Sequence, residues 1–120
     1  MKRSFFVLCT SFMLTTSFAQ SEKYIKAMEA LVPAVDTTRS PDGLTQLANS
    51  FERIANAEKT MWLPFYYAAL CHINKANGYF QTQELDKVDP LMDIAEPLLA
   101  KAEELEKNNS EIMCLKKMFN

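Results

Sequence analysis

Cys71 and His72 are the side chains of this chain best suited to chemistry, because a thiol and an imidazole form nucleophile–base pairs and bind metal ions. The two residues are adjacent, however, and adjacent residues on a helix point about 100° apart, so their side chains do not converge on one atom or ion. His72 is the only histidine, and no cysteine stands at a metal-motif spacing from it. We therefore expect no metal site and no cysteine nucleophile.

Carboxylates are the next candidates for catalysis. Glu103 and Glu104 lie on a charged helical stretch, and Asp86 and Asp89 lie near a helix start, where acidic side chains cap or solvate the helix. The sequence has no glycine-rich phosphate loop, no Gly-x-Ser-x-Gly motif and no His-Glu-x-x-His motif. The chain is therefore predicted to be non-catalytic and to need no cofactor.

The charge balance argues against polyanionic partners. The sequence has 13 Lys and Arg against 15 Asp and Glu, a formal net charge of −2. Nucleic acids and anionic membranes are bound by clustered basic residues, which are missing here. The expected partner is an unidentified protein or peptide.

The N-terminal segment has the pattern of a secretory signal peptide. Two cations open the chain, an apolar run follows over residues 5–14, and Ser17 and Ala19 place small residues where signal peptidase reads them. The run is too short for a stable membrane anchor. We expect residues 1–19 to be removed on export and the mature protein to be periplasmic or secreted.

Residues 20–120 are predicted to form one all-α domain of about five helices. Glycine is nearly absent, with 2 residues, and strong helix formers dominate. Capping residues and prolines divide the domain. The first predicted helix runs from Ser21 to about Leu31, where Pro33 bends or ends it, and the second runs from Pro41, after the cap Ser40, to about Glu58. The third runs from Thr60 to Ala76 or Asn77 and stops before Gly78, and a loop over 81–87 follows it. The fourth runs from Asp89 to about Lys107 with a kink at Pro97, and Asn108 and Glu111 form a capping box that opens an incomplete fifth helix.

Two patterns resemble the tetratricopeptide repeat. The run Ala95-x-x-x-Leu99-x-x-Ala102-x-x-Leu105 is similar to the second helix of that repeat, and Trp62-x-x-Phe65-Tyr66-x-x-Ala69 is similar to the first helix. Tyr66 stands where the family has glycine, so the helices cannot approach as closely there. The resemblance covers about half of the domain. With its signal sequence, the chain looks like the small exported repeat proteins of Gram-negative bacteria, of which it would be a shortened member. It implies antiparallel helix pairs stacked as a short TPR-like α-solenoid.

The same resemblance implies a function in binding a protein or peptide. In such repeats the first helices line a groove, which here predicts partner contacts from Tyr67, Cys71, Asn74 and Lys75. The apolar stripe of that helix is predicted to be core instead; its members are Trp62, Phe65, Tyr66, Ala69, Ile73, Ala76 and Phe80. The alternative function is a periplasmic helical carrier that encloses a small apolar ligand near Trp62 and Tyr66.

The C-terminal helix carries an apolar stripe with no following partner. Ile112, Leu115, Met118 and Phe119 form the stripe, which we expect to fold back on the fourth helix through its first two members and to fray from Lys117 onward. A homodimer through this helix is the alternative. The stacked arrangement also places Cys71 and Cys114 too far apart for a disulfide, so two separate thiols are favoured.

Overall fold

The computed structural model describes residues 22–119 and consists of helices and short turns over that range. The predicted signal peptide and its cleavage position lie outside the described residues, as does the predicted cap at Ser21. Five α-helices follow one another: α1 (22–37), α2 (Pro41–Ala57), α3 (Trp62–Gln81), α4 (Val88–Leu105) and α5 (Ser110–Lys116). Short 3₁₀ segments at Leu85–Lys87 and Lys117–Phe119 precede α4 and follow α5.

Helix α1 runs past Pro33, so the predicted end near Leu31 is wrong. The residue is exposed, which keeps its ring away from the packed side of the helix. Met28 and Val35, seven residues apart and thus on one face, are both buried against the neighbouring helices. This packing outweighs the one backbone hydrogen bond that a proline removes.

Helix α2 confirms the predicted start at Ser40 and Pro41. Ser40 is the N-cap, and its Oγ accepts a 3.1 Å hydrogen bond from the backbone N–H of Gly43. The proline occupies the first helical position, where a missing N–H costs nothing. One face of the helix is apolar and buried, with Leu44, Leu47, Ala48, Phe51 and Ala55.

Helix α3 begins and ends differently from the prediction. Met61, rather than Thr60, is the N-cap, and Pro64 lies in the first turn, where a proline is tolerated. Gly78 does not stop the helix, because glycine permits a helix end but does not force one, at a cost of about 1 kcal/mol inside a helix. The chain turns instead at Gln83, which has a φ of 64°, and the Glu84 N–H donates to the Tyr79 carbonyl at 2.9 Å.

The observed starts of α4 and α5 differ from the predicted ones. The 3₁₀ segment Leu85–Lys87 leads directly into α4 at Val88, so this part of the predicted loop is helical and Asp89 lies in the first turn of α4 rather than capping it. Asn109, not Asn108, caps α5: its Oδ1 accepts hydrogen bonds from the N–H groups of Glu111 and Ile112. Asn108 has a φ of 65° and completes the turn out of α4.

Two apolar clusters hold the helices together. The N-terminal cluster joins α1, α2 and α3, and the C-terminal cluster joins the end of α2 with α3, α4 and α5. Helix α3 contributes to both, because it packs against α2 on one side and α4 on the other. The buried members of the N-terminal cluster are Met28, Val35, Leu44, Leu47, Ala48, Phe51, Ala68 and Cys71. Those of the C-terminal cluster are Ala55, Phe65, Ala69, Ile73, Ala95, Leu99, Ala102 and Ile112.

The apolar stripe predicted for α3 is core along most of its length, since Phe65, Ala69, Ile73 and Ala76 are buried. Phe80 is the exception. It lies at the end of the helix, beyond the reach of the C-terminal cluster, and is 64% exposed.

Helix α5 folds back on α4, as expected from its stripe. Ile112 is buried in the C-terminal cluster, and Leu115 and Phe119 pack partly against it. Lys116 Nζ also forms an ion pair with Glu103 on α4, at 2.6 Å. Of the predicted stripe, Met118 alone is exposed. Three of the four stripe residues therefore pack within the chain.

Candidate functional site

A cleft opens between the α1–α2 turn and the C-terminal half of α3. It consists of two adjoining cavities of about 260 and 630 Å³, and Arg39, Leu44, Asn74 and Gly78 line both. We call it the Gly78 cleft. The smaller cavity is completed by Pro41, Lys75, Tyr79, Thr82 and Glu84. The larger one is completed by Val35, Asp36, Thr38, Leu70, Asn77 and Gln81.

Two glycines shape this cleft in opposite ways. A Cβ atom at Gly78 would meet no heavy atom within 4 Å, so the missing side chain leaves open space. A Cβ at Gly43 would lie 2.7 Å from Ser40 Oγ and 2.8 Å from Thr38 Cγ2. Gly43 thus lets the α1–α2 turn close tightly over the start of α2, and this turn forms one wall of the cleft.

Two charged side chains of the cleft, Lys75 and Glu84, have different hydrogen-bond partners. Lys75, which is half-buried, donates from Nζ to Thr45 Oγ1 at 2.7 Å. Glu84 accepts hydrogen bonds from Lys87 Nζ and Thr82 Oγ1, both at 2.8 Å. These bonds, the one from Lys87 above all, lower the pKa of the Glu84 carboxyl and keep it ionised.

Tyr67 lies one turn before Leu70, which lines the larger cavity, and does not itself line the cleft. Its ring stacks on Phe51 and meets Tyr66 edge-on, with a centroid separation of 5.3 Å in each pair. Burial raises the pKa of its hydroxyl, and the carboxylates of Glu111 on α5 and Asp36 on α1 add to this effect. Tyr67 is therefore neutral at physiological pH, half-buried, and flanked by acidic groups from two other helices.

The four predicted groove residues are only partly brought together. Asn74 and Lys75 line the Gly78 cleft, whereas Tyr67 lines neither of its cavities. Cys71 does not lie in a groove as predicted, because its side chain is completely buried in the N-terminal cluster. Burial raises the pKa of its thiol to about 12, so it is not presented to a partner as a thiolate. Cys71 and the exposed Cys114 are both free thiols.

Sequence reasoning missed Arg39, Gly78 and Tyr79 as cleft residues. The sequence predicts a helix stop at Gly78, and Arg39 lies in the turn before α2. Antiparallel packing of α2 on α3 brings the α1–α2 turn to the C-terminal end of α3. The Ser40-Pro41 helix start places Arg39 in the turn before α2, but it does not show that this turn approaches α3.

His72 is buried on α3, where α2 packs against it, and is 8% exposed. Neither ring nitrogen has a hydrogen-bond partner among the residues that the structure describes. Burial lowers the pKa of the imidazole, the Glu52 carboxylate opposes this shift, and the Lys75 ammonium adds to it. Within residues 22–119 no cluster of His, Cys, Asp and Glu side chains is arranged to hold a metal ion.

Acid should destabilise the protein through His72. Since the folded-state pKa lies below the usual value of about 6.5, the unfolded chain binds the proton more readily, and stability falls as the pH drops from about 7.5 through 6.5. The slope contributed by one proton is at most about 1.4 kcal/mol per pH unit. Urea unfolding between pH 8 and 5.5 should show this loss, and His72→Leu should remove it. Identical pH profiles for the two proteins would contradict the prediction.

Trp62 and Tyr66, the residues assigned to a carrier site, pack on each other edge-on with centroids 5.7 Å apart. Both also pack against the C-terminal cluster. The Gly78 cleft does not include either ring. The cleft and the carrier position are thus two different places on α3, one at each end of the helix.

Comparisons with protein-family models, curated proteins and solved structures found no match for this chain. Within the described part of the chain, none of the helices combines the length and apolar character that crossing a bilayer requires.

Proposed function

We propose that this chain is an exported, non-catalytic helical module that binds a segment of another protein or a peptide in the Gly78 cleft. The observation that carries the proposal is the cleft itself. It is open, it runs along α3 past Asn74, and its lining mixes apolar, amide and charged groups. Such a surface offers an extended segment both apolar contact and hydrogen bonds.

The proposal includes a TPR-like arrangement of stacked helix pairs. Two observations support it: α3 packs between α2 and α4, and its opposite sides belong to different apolar clusters. In stacked repeats each helix buries its apolar surface against its neighbours in the same way. The buried residues Ala95, Leu99 and Ala102 are those of the repeat-like pattern in α4. Export to the periplasm or beyond is proposed from the N-terminal sequence.

The carrier alternative has weaker support. It requires an enclosed apolar space beside Trp62 and Tyr66, whereas the rings of these residues are engaged with each other and with the C-terminal cluster. A homodimer through α5 is likewise a weaker proposal. It would have to use Met113 and Met118, because Ile112 is buried within the chain.

Site-specific photocrosslinking tests the binding function. A photoreactive amino acid at Asn77, which is exposed and lines the cleft, should crosslink to a discrete partner in the native envelope. The same group at Asp93, exposed on α4, is the matched control. Gly78→Leu should abolish the Asn77 adduct by filling the cleft.

Gly78→Ala should keep the adduct, since a methyl group meets no neighbour, and it should raise stability by about 0.5–1 kcal/mol through higher helix propensity. Identical adducts from Asn77 and Asp93, or an adduct that survives Gly78→Leu, would refute binding in the cleft.

A further inference from the structure

The smaller cavity of the Gly78 cleft has two cations on its walls. Arg39 comes from the α1–α2 turn and Lys75 from α3, and both line the cavity of about 260 Å³. The ion pairs within residues 22–119 join Lys87 to Glu84, Lys101 to Glu104 and Lys116 to Glu103. Neither Arg39 nor Lys75 takes part in one of these pairs.

Of the two cations, the Lys75 ammonium gives the stronger evidence for an anion in the cavity. It is half-buried, and its hydrogen bond goes to the neutral hydroxyl of Thr45. A partly desolvated cation next to a neutral acceptor keeps its charge uncompensated, and an ammonium has three donors to satisfy. An anion in the cavity would supply the compensating charge and further acceptors for the ammonium.

Arg39 can donate hydrogen bonds to the same anion. It is exposed, and its Nη1 donates to the carbonyl of Thr38 at 3.3 Å. A guanidinium has five N–H donors, so most remain available for the two-point contact that carboxylates accept. The hydroxyl groups of Tyr79 and Thr82 also line the cavity.

The acidic groups of the cleft do not cancel this charge. Glu84 lines the smaller cavity but is bound to Lys87 and Thr82. Asp36 lines the larger cavity. The smaller cavity is therefore locally cationic in a chain whose net charge is −2.

We propose that the cavity between Arg39 and Lys75 binds a carboxylate of an acidic peptide segment. This inference rests on the proposed binding function of the same cleft and adds the chemical class of the partner. Thr45 orients the Lys75 ammonium, and Gly78 leaves the space through which the segment enters.

Binding of short peptides tests the assignment. A penta-glutamate peptide should bind the folded protein in low salt, whereas a penta-lysine peptide should not. Arg39→Gln and Lys75→Met should each weaken binding of the acidic peptide about tenfold, as expected for one lost charge-assisted hydrogen bond. Lys75→Met keeps the apolar stem of the side chain. Arg53→Gln, the same charge change at an exposed position on α2 outside the cleft, should leave the affinity unchanged.

The single histidine provides a second readout on the unaltered protein. Because the Lys75 ammonium lowers the pKa of His72, a carboxylate bound at Lys75 should raise it, and NMR titration of the imidazole reports this directly. No rise in the His72 pKa at saturating peptide would place the peptide elsewhere and overturn the assignment.

Inorganic phosphate distinguishes the source of the anion. Phosphate that binds more tightly than the acidic peptide would mean a site for a free anion and would overturn the peptide assignment. A crosslink at Asn77 that persists in both Arg39→Gln and Lys75→Met would overturn the anionic site while leaving the proposed binding function intact. If Gly78→Leu abolishes the Asn77 crosslink but Arg39→Gln and Lys75→Met do not, the cleft binds a partner without an anionic site.

Discussion

Replacing Phe51 with alanine should lower the free energy of unfolding by about 3–5 kcal/mol. The ring has no exposed surface, belongs to the N-terminal cluster, and stacks on Tyr67 with centroids 5.3 Å apart. Its removal leaves a cavity that the surrounding helices fill only in part, so the loss includes both the transfer and the cavity contributions. Urea denaturation followed by circular dichroism measures the change.

Phe80→Ala is the matched control for this prediction. It deletes the same atoms from a ring that is 64% exposed, and we expect a change within about 0.5 kcal/mol. Similar losses from Phe51→Ala and Phe80→Ala would show that the N-terminal cluster is not the core of the protein.

Ile112→Ala should cost about 2–5 kcal/mol and should loosen α5 in particular. Ile112 is 1% exposed and is the side chain of α5 that is buried in the C-terminal cluster. Without it, α5 is held by the partly buried Leu115 and by the ion pair of Lys116 with Glu103. Hydrogen exchange should show lost protection over 110–116, with much smaller changes in α2.

Met113→Ala is the corresponding control, because Met113 is the next residue on α5 and is exposed. Its effect on stability should stay within about 0.5 kcal/mol. Equal loss of protection in α2 and α5 after Ile112→Ala would mean that α5 does not open separately. Protection of wild-type α5 that rises with protein concentration would instead favour the dimer.

The elements that local signals define could be predicted from the sequence. The start of α2 follows from a capping serine before a proline, and its buried face follows from apolar residues at three- and four-residue spacing. The end of α3 could not be predicted in this way. A glycine inside a helix and a glycine that ends one look alike until the positive φ at Gln83 is seen.

The candidate site was only partly predictable for a different reason. Asn74 and Lys75 follow from their position on α3, but Cys71 was misplaced because helical periodicity does not show how wide the buried side of a helix is. Helix α3 packs on two sides, so its buried surface extends to Cys71. Arg39 enters the cleft through the packing of a turn against a distant part of the chain, which no local pattern encodes.

The membership of α3 in both apolar clusters has a thermodynamic consequence. Neither end of the molecule holds a complete core without this helix, so α3 cannot unfold while either cluster stays intact. We therefore expect the buried amide protons of α3 to exchange only on global unfolding, whereas α5 contributes to a single cluster and can open by itself.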